Sequence, residues 1–167
     1  MKEYKILVVS DSHGRYGNLQ RAIERELPFD VLVHCGDVVG DIALATGENP
    51  PYEVRVVKGN CDFGGSFPEE EEFKVGFCNL WVTHGNRYNV KYEMELSTLK
   101  KAAKGKRADI VLFGHTHCQE MKMDDENNIL LLNPGSIGES RFGNGYGTYA
   151  TIKITEDYEI FPEMKQI

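Results

Sequence analysis

The chain has 167 residues and carries 26 acidic against 19 basic side chains, a formal net charge of −7. A chain of this mass exposes roughly 27,000 Å² unfolded and about 8,300 Å² folded, which suits one hydrophobic core and is too little for two. The acidic balance, with a pI near 5.3, excludes functions built on a broad basic surface, such as wrapping nucleic acid or lying on anionic lipid.

A hydrophobic fraction of 41% with 10% aromatic residues is globular, and a single domain over residues 1–167 is expected. The amino terminus enters only a short apolar run ending at Val9, without the length or the small-residue cleavage site of a secretory signal. No apolar run approaches the ~18 residues that would span a bilayer, so no membrane partner is expected. Cys35, Cys61, Cys78 and Cys118 show no C-x-x-C spacing and read as reduced thiols of a cytoplasmic protein.

In chain order, Lys5–Val9 reads as a strand buried on both faces, because its apolar residues are continuous and do not alternate. Asn18–Leu27 follows as a helix, with Leu19, Ile23 and Leu27 on one face. Asp30–Val33 and Glu53–Val57 are further buried strands. The acidic run Glu69–Glu72 reads as a solvated loop or edge. Leu80–Val82 is a strand, and a second helix is predicted from about Tyr92 to Lys104, with Gly105 just beyond it at the C-cap. Asp109–Phe113 is the fifth buried strand. Gln119–Met123 and Ile129–Leu132 flank a polar turn, as do Thr148–Ile154 and Glu159–Phe161. These last four read as antiparallel strands of a second sheet. Strand–helix–strand order in front and a β-rich rear give an α/β layered fold.

The informative pattern lies after each buried strand. The five runs lead into Ser10-Asp11-Ser12-His13-Gly14, His34-Cys35-Gly36-Asp37, Lys58-Gly59-Asn60-Cys61-Asp62, Thr83-His84-Gly85 and Gly114-His115-Thr116-His117. All five histidines of the chain fall in these loops. In α/β sheets, ligands bind at the carboxyl ends of strands, on loops held by the sheet. A Ser-His-Asp triad would leave most of this set unused, and acid–base catalysis alone needs only a pair of groups. Imidazole and oxygen ligands suit first-row divalent metals. About seven side chains are too many for one tetrahedral ion and fit two ions sharing a carboxylate. Two such ions bring four positive charges, of which Asp11 and Asp37 neutralise two. The remainder favours a phosphate oxyanion.

D-x-H at Asp11/His13, G-D at Gly36-Asp37, G-N-x-D at Gly59–Asp62, T-H-G at Thr83–Gly85 and G-H-T-H at Gly114–His117 resemble the calcineurin-like metallophosphoesterases, most closely their small prokaryotic phosphodiesterases. Asn133-Pro134-Gly135-Ser136 is similar to the N-P-G-S segment of that group. Each motif alone is weak; the ordered set of five is specific. The resemblance implies a four-layer αββα sandwich of two mixed sheets flanked by helices. It implies that Asp11, His13 and His117 hold one divalent ion, that Asn60, His84 and His115 hold a second, and that Asp37 bridges them. Asp37, Asn60 and His84 are thereby the catalytic set. The implied activity is hydrolysis of a small phosphodiester by a hydroxide between the metals, with Mn²⁺ foremost and Ni²⁺, Fe²⁺, Co²⁺ or Zn²⁺ compatible. A homodimer fits the family's habit.

One position departs from many relatives. Cys61 stands where they carry the histidine taken as proton donor to the leaving group, and a neutral thiol substitutes poorly for imidazole. His34 reads as a core or loop-orienting residue, and Asp62 as either a ligand-orienting or a loop-stabilising group. Asp41 and Asp109 read as element boundaries, and Trp81 as packing. Arg141 is suited to a phosphate or to a surface salt bridge. The alternative function is a non-catalytic protein-binding scaffold on the same fold, as in the retromer subunit. The complete Asp/His/Asn set favours the enzyme.

Overall fold

A computed structural model describes residues 2–138 and 146–167. Two five-stranded mixed sheets face each other. The first is ordered β10-β9-β1-β2-β3 and consists of β1 (Glu3–Val9), β2 (Val31–His34), β3 (Glu53–Val56), β9 (Thr148–Thr155) and β10 (Ile160–Gln166). β1, β2 and β3 run parallel, while β9 pairs antiparallel with β1 and β10 antiparallel with β9. The second is ordered β4-β5-β6-β8-β7, built from β4 (Glu70–Val75), β5 (Cys78–Thr83), β6 (Ile110–Leu112), β7 (Gln119–Asp124) and β8 (Ile129–Pro134). Here β5, β6 and β8 are parallel, with β4 and β7 antiparallel at the edges.

Continuous apolar strands follow from this layering. Ile6 and Val8 face the core between the sheets, while Leu7 and Val9 pack beneath α1 (Gly17–Glu26) with Leu19, Ala22 and Ile23. On the far side, α3 (Ser97–Gly105) lays Leu99 and Ala103 over Trp81, Val111 and Leu131. The result is the four-layer αββα sandwich, as the sequence implied. A short α2 (Ala43–Thr46) was not anticipated; Asp41 Oδ1 accepts the Ala43 N–H at its start.

Three expectations need correction. The carboxyl-terminal hairpins do not share one sheet: β7–β8 joins the second, whereas β9–β10 joins the first. Alternation shows that a strand has one wet face but not which sheet it completes. The acidic run lies at a sheet edge but is not simply solvated. Glu70 accepts Trp81 Nε1–H at 2.9 Å and the Tyr88 hydroxyl at 2.5 Å, and Glu71 pairs with Arg55 of the first sheet at 3.0 Å. The second helix begins five residues later than predicted, at Ser97, because Leu96 sits at φ 53° and cannot continue a right-handed helix backwards. Gly105 is its last residue. The left-handed position is Arg107, and the Ala108 N–H to Ala103 carbonyl and Arg107 N–H to Lys104 carbonyl bonds close a Schellman motif.

Candidate metal centre

The loops leaving β1, β2, β3, β5 and β6 meet at one end of the sandwich and are zipped together through the backbone. The Asp11 and His13 N–H groups donate to the Gly36 and Asp37 carbonyls at 2.9 and 3.0 Å, and Gly114 N–H donates to the His84 carbonyl at 3.0 Å. Such close approach leaves no room for side chains at two positions. A Cβ on Gly59 would run into Asp37 Oδ1, and one on Gly114 into Ser10 Oγ. The turns are tight enough that Asp11, His13, Asp37, His115 and His117 all adopt positive φ, between 46° and 74°. Each costs on the order of 1 kcal/mol, and such strain concentrates at functional sites.

Asp11 is fully buried. Its Oδ2 accepts from Ser10 Oγ at 2.5 Å and the His115 N–H at 3.1 Å, while Oδ1 has no hydrogen-bond partner. That oxygen faces His117 Nε2 at 3.2 Å and His13 Nε2 at 3.6 Å, and those two nitrogens stand 3.2 Å apart. Asp37 Oδ2 lies 3.5 Å from His13 Nε2 and 3.2 Å from His84 Nε2, so this carboxylate is common to both groups of imidazoles. Its other oxygen accepts the Cys61 N–H at 2.7 Å. His84 donates from Nδ1 to the Cys35 carbonyl at 2.7 Å. This fixes its tautomer with the Nε2 lone pair turned inward, the arrangement typical of a metal-bound imidazole. That buried Nε2 also lacks a hydrogen-bond partner.

Acceptor atoms at 3.2–3.6 Å repel one another unless a proton or a metal cation lies among them. The donor sets Asp11–His13–His117 and Asp11–Asp37–His84 each bring their ligand atoms within 4.8 Å of one another, as does His13–Asp37–Cys61. The residues therefore fit divalent metal, and the oxygen and nitrogen donors fit first-row ions. Two residues of the predicted set stand further out. His115 is half-buried, with its ring 5.1 Å from that of His84. Asn60 is exposed, its amide 3.5 Å from Cys61 Sγ.

Electrostatics match this geometry. Burial works against the Asp11 carboxylate, yet His117, His13, His84 and Ser10 outweigh it and hold its pKa well below the usual range. Asp37 is likewise lowered: burial opposes ionisation, but His84 and the Cys61 N–H prevail. His115 is pushed down to about 4 by burial and by the charges of His84 and Lys91, which keeps its lone pair free at neutral pH. The Cys61 thiol is pushed up by burial and Asp37, so it is protonated near neutrality.

Around this cluster stand residues whose part the sequence left open or did not reveal. Asp62 accepts three backbone N–H groups, from Asp37 and Gly59 on Oδ2 and from Val39 on Oδ1, each at 2.8 Å. It stabilises the loops and presents no oxygen to a ligand. Asn133 donates to the Gly114 carbonyl at 3.1 Å and to Thr116 Oγ1 at 2.9 Å, and Ser136 Oγ donates to the Asp11 carbonyl at 2.8 Å. The N-P-G-S segment is thus a brace beneath two of the ligand loops. His34 is wholly buried, and burial pushes it down to about 4. Its Nδ1 accepts the Gly36 N–H at 3.2 Å, so Nε2–H donates to Ser12 Oγ at 2.9 Å. With both ring nitrogens engaged, it supports the loop and has no lone pair left for a metal. No disulfide joins the four cysteines, all of them among the described residues. Arg141 lies outside the described residues.

A model of the calcineurin-like phosphoesterase superfamily domain matches residues 4–157. The chain belongs to that superfamily. A probable metallophosphoesterase of Bacillus subtilis is 36% identical over 156 residues, covering 93% of this chain and 82% of its own. A phosphodiesterase of Methanocaldococcus jannaschii is 27% identical over 148 residues, 78% of this chain and 82% of its own. Among solved structures, a predicted phosphoesterase of Streptococcus pneumoniae superimposes with a TM-score of 0.74 at 26% identity, covering 100% of this chain and 99% of its own. Vacuolar protein sorting 29 of Cryptosporidium parvum reaches 0.77 at 18% identity, covering 99% and 98%; at that identity the likeness speaks for the metallophosphoesterase fold alone. Metallophosphoesterases depend on divalent metals, and this chain has the ligand types they use. No helix among the described residues is long and apolar enough to cross a membrane.

Proposed function

We propose that the chain is a single-domain, cytoplasmic, metal-dependent phosphodiesterase that hydrolyses small phosphodiesters at a dinuclear centre. The observation that carries this reading is the pair of buried, unpartnered acceptors, Asp11 Oδ1 and His84 Nε2, converging with His13, His117 and Asp37 at 3.2–3.9 Å. An unsatisfied buried acceptor costs about 1–3 kcal/mol, and five strained ligand residues on three loops add to that cost. A cation relieves both.

Asp11, His13 and His117 would hold one ion and Asn60, His84 and His115 the second, with Asp37 between them. Exposed Asn60 would close onto the second ion. Bound ions supply Lewis acidity at the phosphoryl oxygens and a water acidic enough to ionise near neutral pH. The protein's own part is orientation. Cys61 N–H holds one oxygen of Asp37 so that the other faces the imidazoles, and the Cys35 carbonyl, by accepting Nδ1–H, leaves Nε2 as the ligand atom of the neutral His84 ring. Asp62 fixes the Asp37 and Gly59 loops relative to each other. With its thiol held protonated and weakly acidic, Cys61 is a poor proton donor, which favours diesters whose leaving group departs unassisted. Mn²⁺ is the foremost ion for these donors, with Ni²⁺, Fe²⁺, Co²⁺ and Zn²⁺ compatible.

The test is hydrolysis of bis-p-nitrophenyl phosphate with each divalent ion and with chelator, alongside metal content. Turnover that requires a divalent ion is expected. No turnover with any of them would sink the enzyme and leave a binding scaffold on this fold, a reading that the vacuolar sorting likeness permits but no residue of the site favours.

A further inference from the structure

The segment predicted as the first turns of the second helix is instead a wall. We propose that the pocket it encloses beside the metal centre is the subsite for one ester arm of the substrate, and that it selects a planar arm, a nucleoside or an aryl group, by stacking on Tyr92. The inference rests on the phosphodiesterase reading and adds its substrate class.

Residues 88–96 are pinned from beneath. The Tyr88 ring packs edge-on against Trp81 at 5.1 Å, and its hydroxyl donates to Glu70. Val90 and Leu96 are buried, and Lys122 Nζ donates to the Met94 carbonyl and lies 3.7 Å from Glu95. The loop is therefore held at both ends and in the middle. Between those anchors the side chains of Tyr92 and Met94 stand 86% and 85% exposed. Two large apolar groups displayed on a fixed wall do nothing for the fold, since neither joins the core. They line a pocket of about 530 Å³ whose opposite side is Thr116, Cys118, Gln119 and Glu120, within the usual range for small-ligand sites.

The pocket adjoins the metal centre. Thr116 lies between His115 and His117 in the chain, and Lys91 faces the same pocket from the opposite wall. Two of the acidic groups there are poor competitors for that lysine. Glu93 is engaged with Thr98 N and Oγ1 at the start of α3, and burial pushes Glu120 up. Lys91 forms no ion pair among the described residues, so its ammonium remains for the anionic end of a diester. A planar group extending from phosphorus would then meet the Tyr92 ring and the adaptable thioether of Met94.

The experiment compares thymidine 5′-(p-nitrophenyl) phosphate with methyl p-nitrophenyl phosphate, which share a leaving group and differ in the other arm. Tyr92→Ala is expected to raise KM for the nucleoside diester about tenfold with little change in kcat, and to affect the methyl diester several-fold less. Tyr92→Phe, which keeps the ring, restores the preference. Equal losses on both diesters, or none on either, overturn the subsite. Calorimetry of the metal-loaded chain with thymidine 5′-monophosphate and methyl phosphate reads the same preference without turnover. Tighter binding of the nucleotide that disappears in Tyr92→Ala supports the proposal, and equal affinities overturn it. If the chain hydrolyses neither diester, the phosphodiesterase reading falls while calorimetry still decides the pocket.

Discussion

Asp11 and Glu26 are both buried carboxylates on the first sheet and its helix, and the protein treats them in opposite ways. Glu26 has both oxygens occupied. Lys5 lies at 2.8 Å, Lys165 at 2.9 and 3.1 Å, and the Tyr149 hydroxyl donates at 2.8 Å. It sits in the last turn of α1 and ties that helix to β1, β9 and β10. Asp11 sits at a left-handed φ of 54°, with one oxygen satisfied and the other facing three imidazoles without a hydrogen bond. A satisfied buried charge makes a joint. An unsatisfied one, held by strained backbone, makes a binding site whose ligand is part of its stability.

The sharpest way to break this contrast is Asp37→Ala, which removes the carboxylate common to both imidazole groups. Phosphodiester hydrolysis is expected to fall by more than about 10³-fold, with metal content falling towards zero. Two ions retained in the variant would remove Asp37 from the bridging role. Next in size is metal loading itself. If the strained end is completed by cations, each ion at 100 times its dissociation constant adds about 2.7 kcal/mol. Differential scanning calorimetry should then show the melting temperature rising by roughly 5–10 °C per ion, reversed by chelator. A melting curve indifferent to every divalent ion would mean that the loops tolerate their orphaned acceptors unaided. Asp62→Ala follows, because it strips three backbone N–H groups of their acceptor without touching a ligand. Metal affinity measured by titration is expected to weaken about 10–100-fold. The opposite result, intact affinity with only lowered thermal stability, would confine Asp62 to folding.

The two regions also differ in how much of them could be read beforehand. The ligand loops were legible because Ile6 and Val8 are buried on one face of β1 while Leu7 and Val9 are buried on the other. That double burial leaves an uninterrupted apolar run whose end is marked by Asp11 and His13. The strain was not legible, since nothing in the letters Asp and His announces a positive φ. Asn133 and Ser136 were not legible as braces, and Asp62 was legible only as one of two alternatives, because each acts on a loop 17 or more residues away that only the fold brings near. The Glu26 joint escaped notice for the same reason: its partner Lys165 is 139 residues distant. The late start of α3 was hidden by spacing. Leu96, Leu99 and Ala103 keep a helical period across the boundary, and only the left-handed Leu96 breaks it.

Glu26→Gln has the smallest expected effect and sharpens the contrast from the other side. The glutamine keeps the side-chain shape and one acceptor but loses the charge. Burial disfavours the ionised Glu26, yet Lys5, Lys165 and Tyr149 more than offset it and hold its pKa at about 2, against about 4.3 for an unfolded glutamate. Because both lysines are partly exposed, the stability at stake is discounted to about 2 kcal/mol. A depressed folded pKa means that this contribution is complete above about pH 4.3 and disappears as pH falls towards 2. Thermal melts should accordingly separate the variant from the unmodified chain by roughly 4–8 °C at neutral pH and bring the two together near pH 2. Metal content and hydrolysis of bis-p-nitrophenyl phosphate are expected to match those of the unmodified chain. A variant that keeps its melting temperature would show that Glu26 carries no net stability, and one that loses metal would show that the joint and the metal centre are not separable.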